Sequence, residues 1–297
     1  MAYKLFIASD IHDDREALDK FVDYAQANNS DRIALLGDLS LRPYSADSLE
    51  NLIKTGDENT FVKEKIAHNN IKLNDMKKIL DDSGIPYNVI PGNYDSNFSN
   101  VFGDKNLHLN STNIGEAKVS GYGGADEFPP HINLLVKLGE IVDFDHKELY
   151  NFLNQEKPDI GFVHNPPQGY CDDLYDGRSV GTPASTRYIH ENSPKIILSG
   201  HIHEAGPNAN NPKGVNGIKK IENEKTGKVT YVINPGNLGR FELIDPRNLD
   251  THMEFDYGTF VELDIEDDGT PIRLKQYTLQ TKDRNIGKIK KLTDYPL

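Results

Sequence analysis

The chain has 297 residues, a formal net charge of −13 and a sequence pI near 5.2. An acidic chain makes nucleic acid an unlikely partner, because proteins that bind the phosphate backbone present basic surfaces. Cys171 is the only cysteine, which excludes an intrachain disulfide and the thiolate zinc motifs. No stretch is apolar for long enough to predict a membrane span or a leader, so we expect a cytoplasmic protein with no membrane contact.

The apolar pattern predicts alternating strands and helices along the chain. Strands are predicted for YKLFIAS, RIALL, YNVI, DIGFV, KIILS, VTYVIN and GTFVELDI, and helices for DDREALDKFVDYAQA, DHKELYNFLNQ and PASTRYIHEN. The apolar residues between 46 and 80 keep helical spacing, which predicts a possible helical insertion over 42–82. This alternation is typical of an α/β protein. We expect a single domain over 1–297, with an exposed C-terminal tail at 280–297.

Five of the predicted strands are followed at once by side chains that commonly bind metals. These residues are Asp10, His12, Asp38, Asn93, His164, His201 and His203. Ligand sites in open α/β sheets lie outside the carboxyl ends of the strands, so these side chains should meet in one crevice. Two carboxylates, four imidazoles and an amide in one place call for bound cations. Asp38 can offer one oxygen to each of two ions, so the pattern predicts two.

The ordered motifs DIH, GD, GN, H and GHIH, from Asp10 to His203, resemble the signature of the calcineurin-like metallophosphoesterase superfamily. The resemblance implies a four-layer αββα sandwich with a dinuclear metal centre. It implies that the first ion is bound by Asp10, His12, Asp38 and His203. It implies that the second ion is bound by Asp38, Asn93, His164 and His201. The runs HNPP and NPGNLGR resemble the phosphodiesterase-like branches of the superfamily.

The chemistry that the resemblance implies is hydrolysis of a phosphoester, most of all a phosphodiester. A hydroxide that bridges the two ions would attack phosphorus in line. Imidazole and carboxylate ligands suit manganese, iron, zinc, nickel or cobalt, and we favour manganese or iron. The expected partner is a small phosphorylated substrate, with Asn93 and Arg240 as candidate contacts to it. The candidate catalytic residues are Asp38, Asn93, Tyr94 and Asp95.

Tyr94 departs from the superfamily pattern, in which a histidine follows the GN pair. A phenol with a pKa near 10 is less suited to proton transfer at neutral pH than an imidazole with a pKa near 6.5. The change favours phosphodiesters with good leaving groups, and His108 and His131 are candidate replacement imidazoles. Two alternatives stay open: a non-catalytic metal-binding scaffold of the same fold that binds a protein partner, and a nuclease of the same fold. Tyr94 favours the scaffold, whereas the net charge disfavours the nuclease.

Overall fold

The computed structural model describes residues 1–41, 45–95, 98–126, 142–174, 176–205, 217–244, 251–256, 258–282 and 285–297. The helices are α1 (Arg15–Ala27), α2 (Ala46–Thr55), α3 (Glu58–Ser83), α4 (Phe98–Phe102), α5 (His146–Glu156) and α6 (Pro183–Asn192), with 3-10 turns at Gly103–Lys105 and His203–Ala205. The first strands are β1 (Ala2–Ala8), β2 (Arg32–Leu35), β3 (Tyr87–Val89), β4 (Asn110–Ile114), β5 (Ala117–Tyr122), β6 (Ile160–Val163) and β7 (Ile196–Leu198). The later strands are β8 (Ile218–Glu222), β9 (Val229–Ile233), β10 (Phe241–Ile244), β11 (Thr251–Phe255), β12 (Thr259–Glu266), β13 (Pro271–Lys282) and β14 (Asn285–Pro296).

The helices begin and end where their local sequence provides capping groups. The carboxylate of Asp14 accepts a hydrogen bond from the backbone N–H of Ala17 at the start of α1. Pro183 opens α6, where its fixed φ suits the first turn and its missing N–H is not needed. Gly84 ends α3 at φ +68°, a left-handed conformation that glycine adopts without steric cost. These signals explain why the predicted helices appear close to their expected bounds.

Two six-stranded sheets form the centre of the molecule. The first has the order β14-β13-β12-β1-β2-β3, in which β1, β2 and β3 run parallel. The second has the order β4-β5-β6-β7-β9-β8, in which β5, β6, β7 and β9 run parallel. A separate antiparallel pair joins β10 and β11. The ligand-bearing loops therefore follow parallel strands of both large sheets.

The buried residues form three layers of contact, which define a four-layer αββα arrangement. Phe6 of β1 packs with Phe21 of α1 on the outer face of the first sheet. Ile7, which points to the opposite face, packs between the two sheets with Phe162 of β6. Leu149 of α5 packs with α6 on the outer face of the second sheet. The predicted α/β class and four-layer sandwich are confirmed.

The C-terminal segment differs from the sequence expectation. Residues expected to form an exposed tail over 280–297 instead complete β13 and form β14, which pairs antiparallel with β13 from Arg273↔Pro296 to Lys282↔Asn285. Ile286 and Ile289 pack against the core of the first sheet. They are three residues apart and pair on either side of a register shift between Gln280 and Thr281, so no strict strand alternation marks this segment in the sequence. The described part of the 42–82 segment is helical, in α2 and most of α3. Its status as an insertion stays a prediction, as does the single domain over 1–297.

Candidate metal centre

The loops that carry the predicted ligands have an unusual backbone. Four of these residues have positive φ angles, which side chains other than glycine rarely adopt: Asp10 (+54°), His12 (+50°), Asp38 (+49°) and His201 (+63°). Neighbouring loops hold this conformation through backbone hydrogen bonds, since the N–H of Asp10 donates to the carbonyl of Gly37 and the N–H of His12 donates to the carbonyl of Asp38. Such strain typically costs about 1–3 kcal/mol per residue and concentrates at functional sites.

A first group of buried ligand atoms comes from Asp10, His12, Asp38 and His203, all within 4.8 Å of one another. The Nε2 atoms of His12 and His203 are 3.1 Å apart, and Asp10 Oδ1 lies 3.2 Å from His203 Nε2. The same Oδ1 lies 3.8 Å from His12 Nε2. The other oxygen of Asp10 accepts the backbone N–H of His201 at 3.0 Å, which links this group to the next loop.

A second group shares Asp38 with the first. Asp38, His164 and His201 place ligand atoms within 4.8 Å of one another. Asn93 belongs with them, because its Oδ1 lies 3.2 Å from both His164 Nε2 and His201 Nδ1. His164 Nε2 is 3.5 Å from Asp38 Oδ2, and its Nδ1 is 2.5 Å from the carbonyl oxygen of Leu36. That carbonyl fixes the ring in the way usual for a metal-ligating histidine.

The two groups fit divalent ions by their spacing and their chemistry. Ligands about 2.0–2.2 Å from one ion are separated from each other by about 3.0–3.5 Å in octahedral or tetrahedral geometry. The contacts of 3.1, 3.2 and 3.5 Å within the groups match that range. Imidazole nitrogens and buried carboxylates that face one point are also the donor set that a bound divalent cation compensates. The residue set therefore suits two ions that share Asp38.

Burial and the neighbouring charges set the protonation of the ligands. Burial lowers the pKa of His12 to about 4 and that of His201 to about 3, so both stay neutral at pH 7, as ligands must be. Burial raises the pKa of Asp10, but the hydrogen bond and charge of His203 outweigh it and hold that pKa below its ordinary value. Burial also raises the pKa of Asp38, but the charge and hydrogen bond of His164 together with the charge of His12 hold that pKa below its ordinary value. Both carboxylates are therefore ionised and can bind cations.

His164 differs from these two histidines. Burial lowers its pKa, but the charge of Asp38 and the bond to that carboxylate raise it to about 9. Burial lowers the pKa of His203, but the hydrogen bond and charge of Asp10 with the charges of Glu204 and Asp38 together raise it above its ordinary value. At pH 7 His164 therefore holds a proton beside Asp38, and binding of a cation would displace that proton.

Asp95 and Tyr94 act on the loop that carries Asp38. Both oxygens of Asp95 accept backbone N–H groups, from Leu39, Ser40 and Gly92, at 2.9–3.1 Å. Burial and the charge of Asp38 raise the pKa of Asp95 to about 7, and the three N–H groups oppose that rise. The backbone N–H of Tyr94 donates to Asp38 Oδ1 at 3.0 Å. Asp95 thus joins the loops after β2 and β3, while Tyr94 orients the shared carboxylate.

The remaining predicted residues lie further out. The backbone N–H of Arg240 donates to Asp14 Oδ2 at 2.9 Å, which places residue 240 beside the loop of His12; its contact with substrate stays a prediction. His108 Nδ1 accepts the backbone N–H of Gly123 at 2.9 Å, which gives that imidazole a structural partner. His131 lies outside the described residues.

Two residues at the centre were missed by the sequence analysis. Phe241 of β10 and Phe255 of β11 place their rings against His12 and His203. The only available signal was one aromatic residue in each of the short runs FELI and THMEF, neither of which was predicted as a strand. Such short runs carry too little periodicity to reveal that they pair and fold over the centre.

Comparison with known proteins agrees with this geometry. The model of the calcineurin-like phosphoesterase family matches residues 3–205. The solved structure of TT1561 of Thermus thermophilus is similar to this chain, with a TM-score of 0.53 and 20% sequence identity. The match covers 84% of this chain and 97% of that chain. A dimetal phosphatase from Danio rerio has 10% identity, 98% coverage of both chains and a TM-score of 0.49. No curated protein matches this chain. Since the family model matches more than half of the residues, the chain belongs to the calcineurin-like phosphoesterase family.

Proposed function

We propose that this protein hydrolyses phosphodiesters with two bound divalent metal ions. The observation that carries the proposal is the pair of buried ligand groups that share Asp38. Bound ions of this kind activate a water molecule as the nucleophile and neutralise the charge of the phosphate. Imidazole, carboxylate and amide ligands suit manganese, iron, zinc, nickel or cobalt, and among these we propose manganese or iron.

The chain's own residues hold and orient these ions. The first ion would be held by Asp10, His12 and His203 and the second by Asn93, His164 and His201, with Asp38 available to both. The N–H of Tyr94 bonds to Asp38 Oδ1, while Asp38 Oδ2 faces His164. These two contacts orient the shared carboxylate. Asp95 supports this arrangement through the backbone of the same loops, so we assign it a positioning role.

The preference for diesters rests on Tyr94. Departure of an alkoxide from a monoester requires a proton donor with a pKa near the operating pH, and a phenol has a pKa near 10. A diester with a good leaving group needs that proton far less. The proposed substrate is a small phosphodiester, with Asn93 and Arg240 as the residues expected to contact its phosphate.

Paired aryl substrates test the proposal directly. Bis(p-nitrophenyl) phosphate and p-nitrophenyl phosphate are compared at equal concentration with manganese, using the wild-type protein, Asp38→Ala and Tyr94→His. We expect the wild-type protein to hydrolyse the diester and Asp38→Ala to abolish that turnover. We expect Tyr94→His to increase turnover of an alkyl monoester such as glycerol 2-phosphate, assayed beside the aryl esters, because its leaving group needs a proton. Efficient hydrolysis of alkyl monoesters without hydrolysis of diesters would contradict the proposal.

A non-catalytic scaffold is the second candidate, and Tyr94 is the observation that favours it. Such a protein would bind two ions through the same residues and use its surface to bind a partner protein. Two bound ions without turnover of either aryl ester or of a panel of natural diesters would support this candidate. A nuclease is disfavoured, because a net charge of −13 opposes binding to a phosphate backbone.

A further inference from the structure

The β10–β11 pair places a rigid aromatic unit against one side of the metal centre. Phe241 and Phe255 are direct partners across the two strands, and their rings stack at 4.8 Å with an interplanar angle of 13°. The Phe241 ring lies 4.0 Å from the His12 ring and 4.7 Å from the His203 ring. The Phe255 ring lies 4.9 Å from the His203 ring. Both phenylalanines are buried, with 5% and 6% of their surface exposed.

The two ligand groups are therefore supported in different ways. In the second group, the Nδ1 of His164 meets the carbonyl oxygen of Leu36, the usual support for a metal-binding imidazole. In the first group, the Nδ1 of His12 is buried and has no hydrogen-bond partner among the described residues. The Phe241 ring packs against the His12 ring at a tilt of 49°, and the rings of Phe241 and Phe255 meet the His203 ring nearly at right angles, at 77° and 78°. Aromatic packing therefore supports the imidazoles of the first group, where a hydrogen bond supports His164 in the second group.

We propose that Phe241 and Phe255 are positioning residues for the first metal ion, a role that rests on the proposed dinuclear centre. The stacked pair fixes the ring orientation of His12 and His203, so that their Nε2 atoms converge. It also excludes water from that side of the group, which strengthens the interaction of Asp10 with a cation. The family model ends at residue 205, so this support comes from a part of the chain beyond the family match.

The proposal predicts different changes in affinity for the two ions. Loss of the aromatic pair should lower the affinity for the first ion, because its imidazole ligands become free to rotate. The second ion should be retained with unchanged affinity, because the ring contacts of the pair reach His12 and His203 rather than His164. Phe241 contacts both imidazoles and Phe255 only one, so the substitution of Phe241 should have the larger effect.

Metal binding by leucine variants tests this inference without reference to turnover. The variants Phe241→Leu, Phe255→Leu and the double variant keep apolar bulk in the layer and remove the rings. Phe260→Leu is the matched control, because Phe260 also forms a buried stacked pair, with Tyr277 at 5.1 Å and 13°. Its other ring contacts are with Phe6, Phe21 and Tyr24 in the core. Cobalt content and absorption are measured while a competing chelator is titrated.

We expect two cobalt ions in the wild-type protein and in Phe260→Leu. In the double variant one ion should bind about 10- to 100-fold more weakly, the usual effect of removing groups that orient metal ligands. The ion that remains should give the absorption spectrum of His203→Ala, which lacks a ligand of the first group. If the double variant does not fold, the two single variants test the inference, since Phe241→Leu should weaken binding of the first ion more than Phe255→Leu.

Three results would overturn the inference. Two ions with wild-type affinity in the double variant, or in both single variants, would show that the rings do not position the imidazoles. Equal weakening of both ions would show that the pair acts on the whole fold. Wild-type protein that binds no cobalt would instead refute the metal centre itself, and the inference with it.

Discussion

Substitution of Gly92 by alanine should empty the metal centre while leaving the fold intact. Gly92 lies against Asp38, the residue shared by both ligand groups. A Cβ atom at residue 92 would lie 2.0 Å from Asp38 Oδ1, 2.2 Å from its backbone nitrogen and 2.5 Å from its Cγ. Real Cβ contacts are essentially never shorter than 3.0 Å, so the carboxylate and the backbone nitrogen of Asp38 must both move by about 1 Å relative to residue 92.

That displacement is large for a metal site but modest for a protein core. Metal–ligand distances are held to within about 0.2 Å, so a carboxylate displaced by about 1 Å can no longer bind both ions. Overpacking of a core costs about 1–3 kcal/mol, which corresponds to a fall in Tm of roughly 2–10 °C for a chain of this size. We therefore expect a folded protein that has lost affinity for both ions.

The assay measures metal content by mass spectrometry and folding by circular dichroism. Gly161→Ala, in the strand before His164, is the control, because its Cβ would meet the flexible end of Ile197 at 2.7 Å and no residue of the centre. We expect two ions per chain in Gly161→Ala and fewer than one in Gly92→Ala. Two ions with wild-type affinity in folded Gly92→Ala would refute the assignment of Asp38 as the shared ligand.

Three further predictions follow from other parts of the molecule. Chelation should lower Tm in calorimetry, because ions at about 100 times their Kd contribute about 2.7 kcal/mol of stability; an unchanged Tm would contradict bound ions. Burial raises the pKa of Cys171 to about 12, so the thiol of the native protein should not react with iodoacetamide between about pH 7 and 9. The denatured protein should react, and the mass of the intact chain would show the difference. The unfolded thiol ionises near pH 8.5 while the folded thiol stays protonated, so this group lowers the free energy of unfolding as pH rises above about 8.5. Deletion of residues 285–297 should lower the urea midpoint, because β13 loses its partner strand and the packing of Ile286 and Ile289; an unchanged midpoint would favour a tail.

The ligand residues could be predicted because each follows a short apolar strand. Asp10, Asp38 and His164 stand directly after, or within three residues of, runs whose composition alone predicts buried strands. Parallel strands bring their carboxyl ends to one edge, so local pattern and a topological rule were enough to place the side chains together. The helices α1 and α6 were predictable for a similar reason, since their capping residues and apolar faces are local.

The C-terminal third was harder to predict, because its strands are defined by their partners. The strands β10 and β11 are four and five residues long, and β14 carries lysines on its solvent side. Strand propensity depends on neighbouring strands and on which face is buried, and neither is visible in one short run. The support of His12 and His203 by an aromatic pair was invisible for the same reason.

The sequence by itself determined seven of the strands and their alternation with helices, the α/β class and the seven side chains able to bind metal. Only the tertiary structure decided how those side chains divide around Asp38, and that two phenylalanines from residues 241 and 255 support one half of the centre. It also decided the left-handed backbone at Asp10 and Asp38, which hydrogen bonds from neighbouring loops maintain. Strained angles and contacts between distant residues are stable only when the surrounding fold holds them, so no local pattern can encode them.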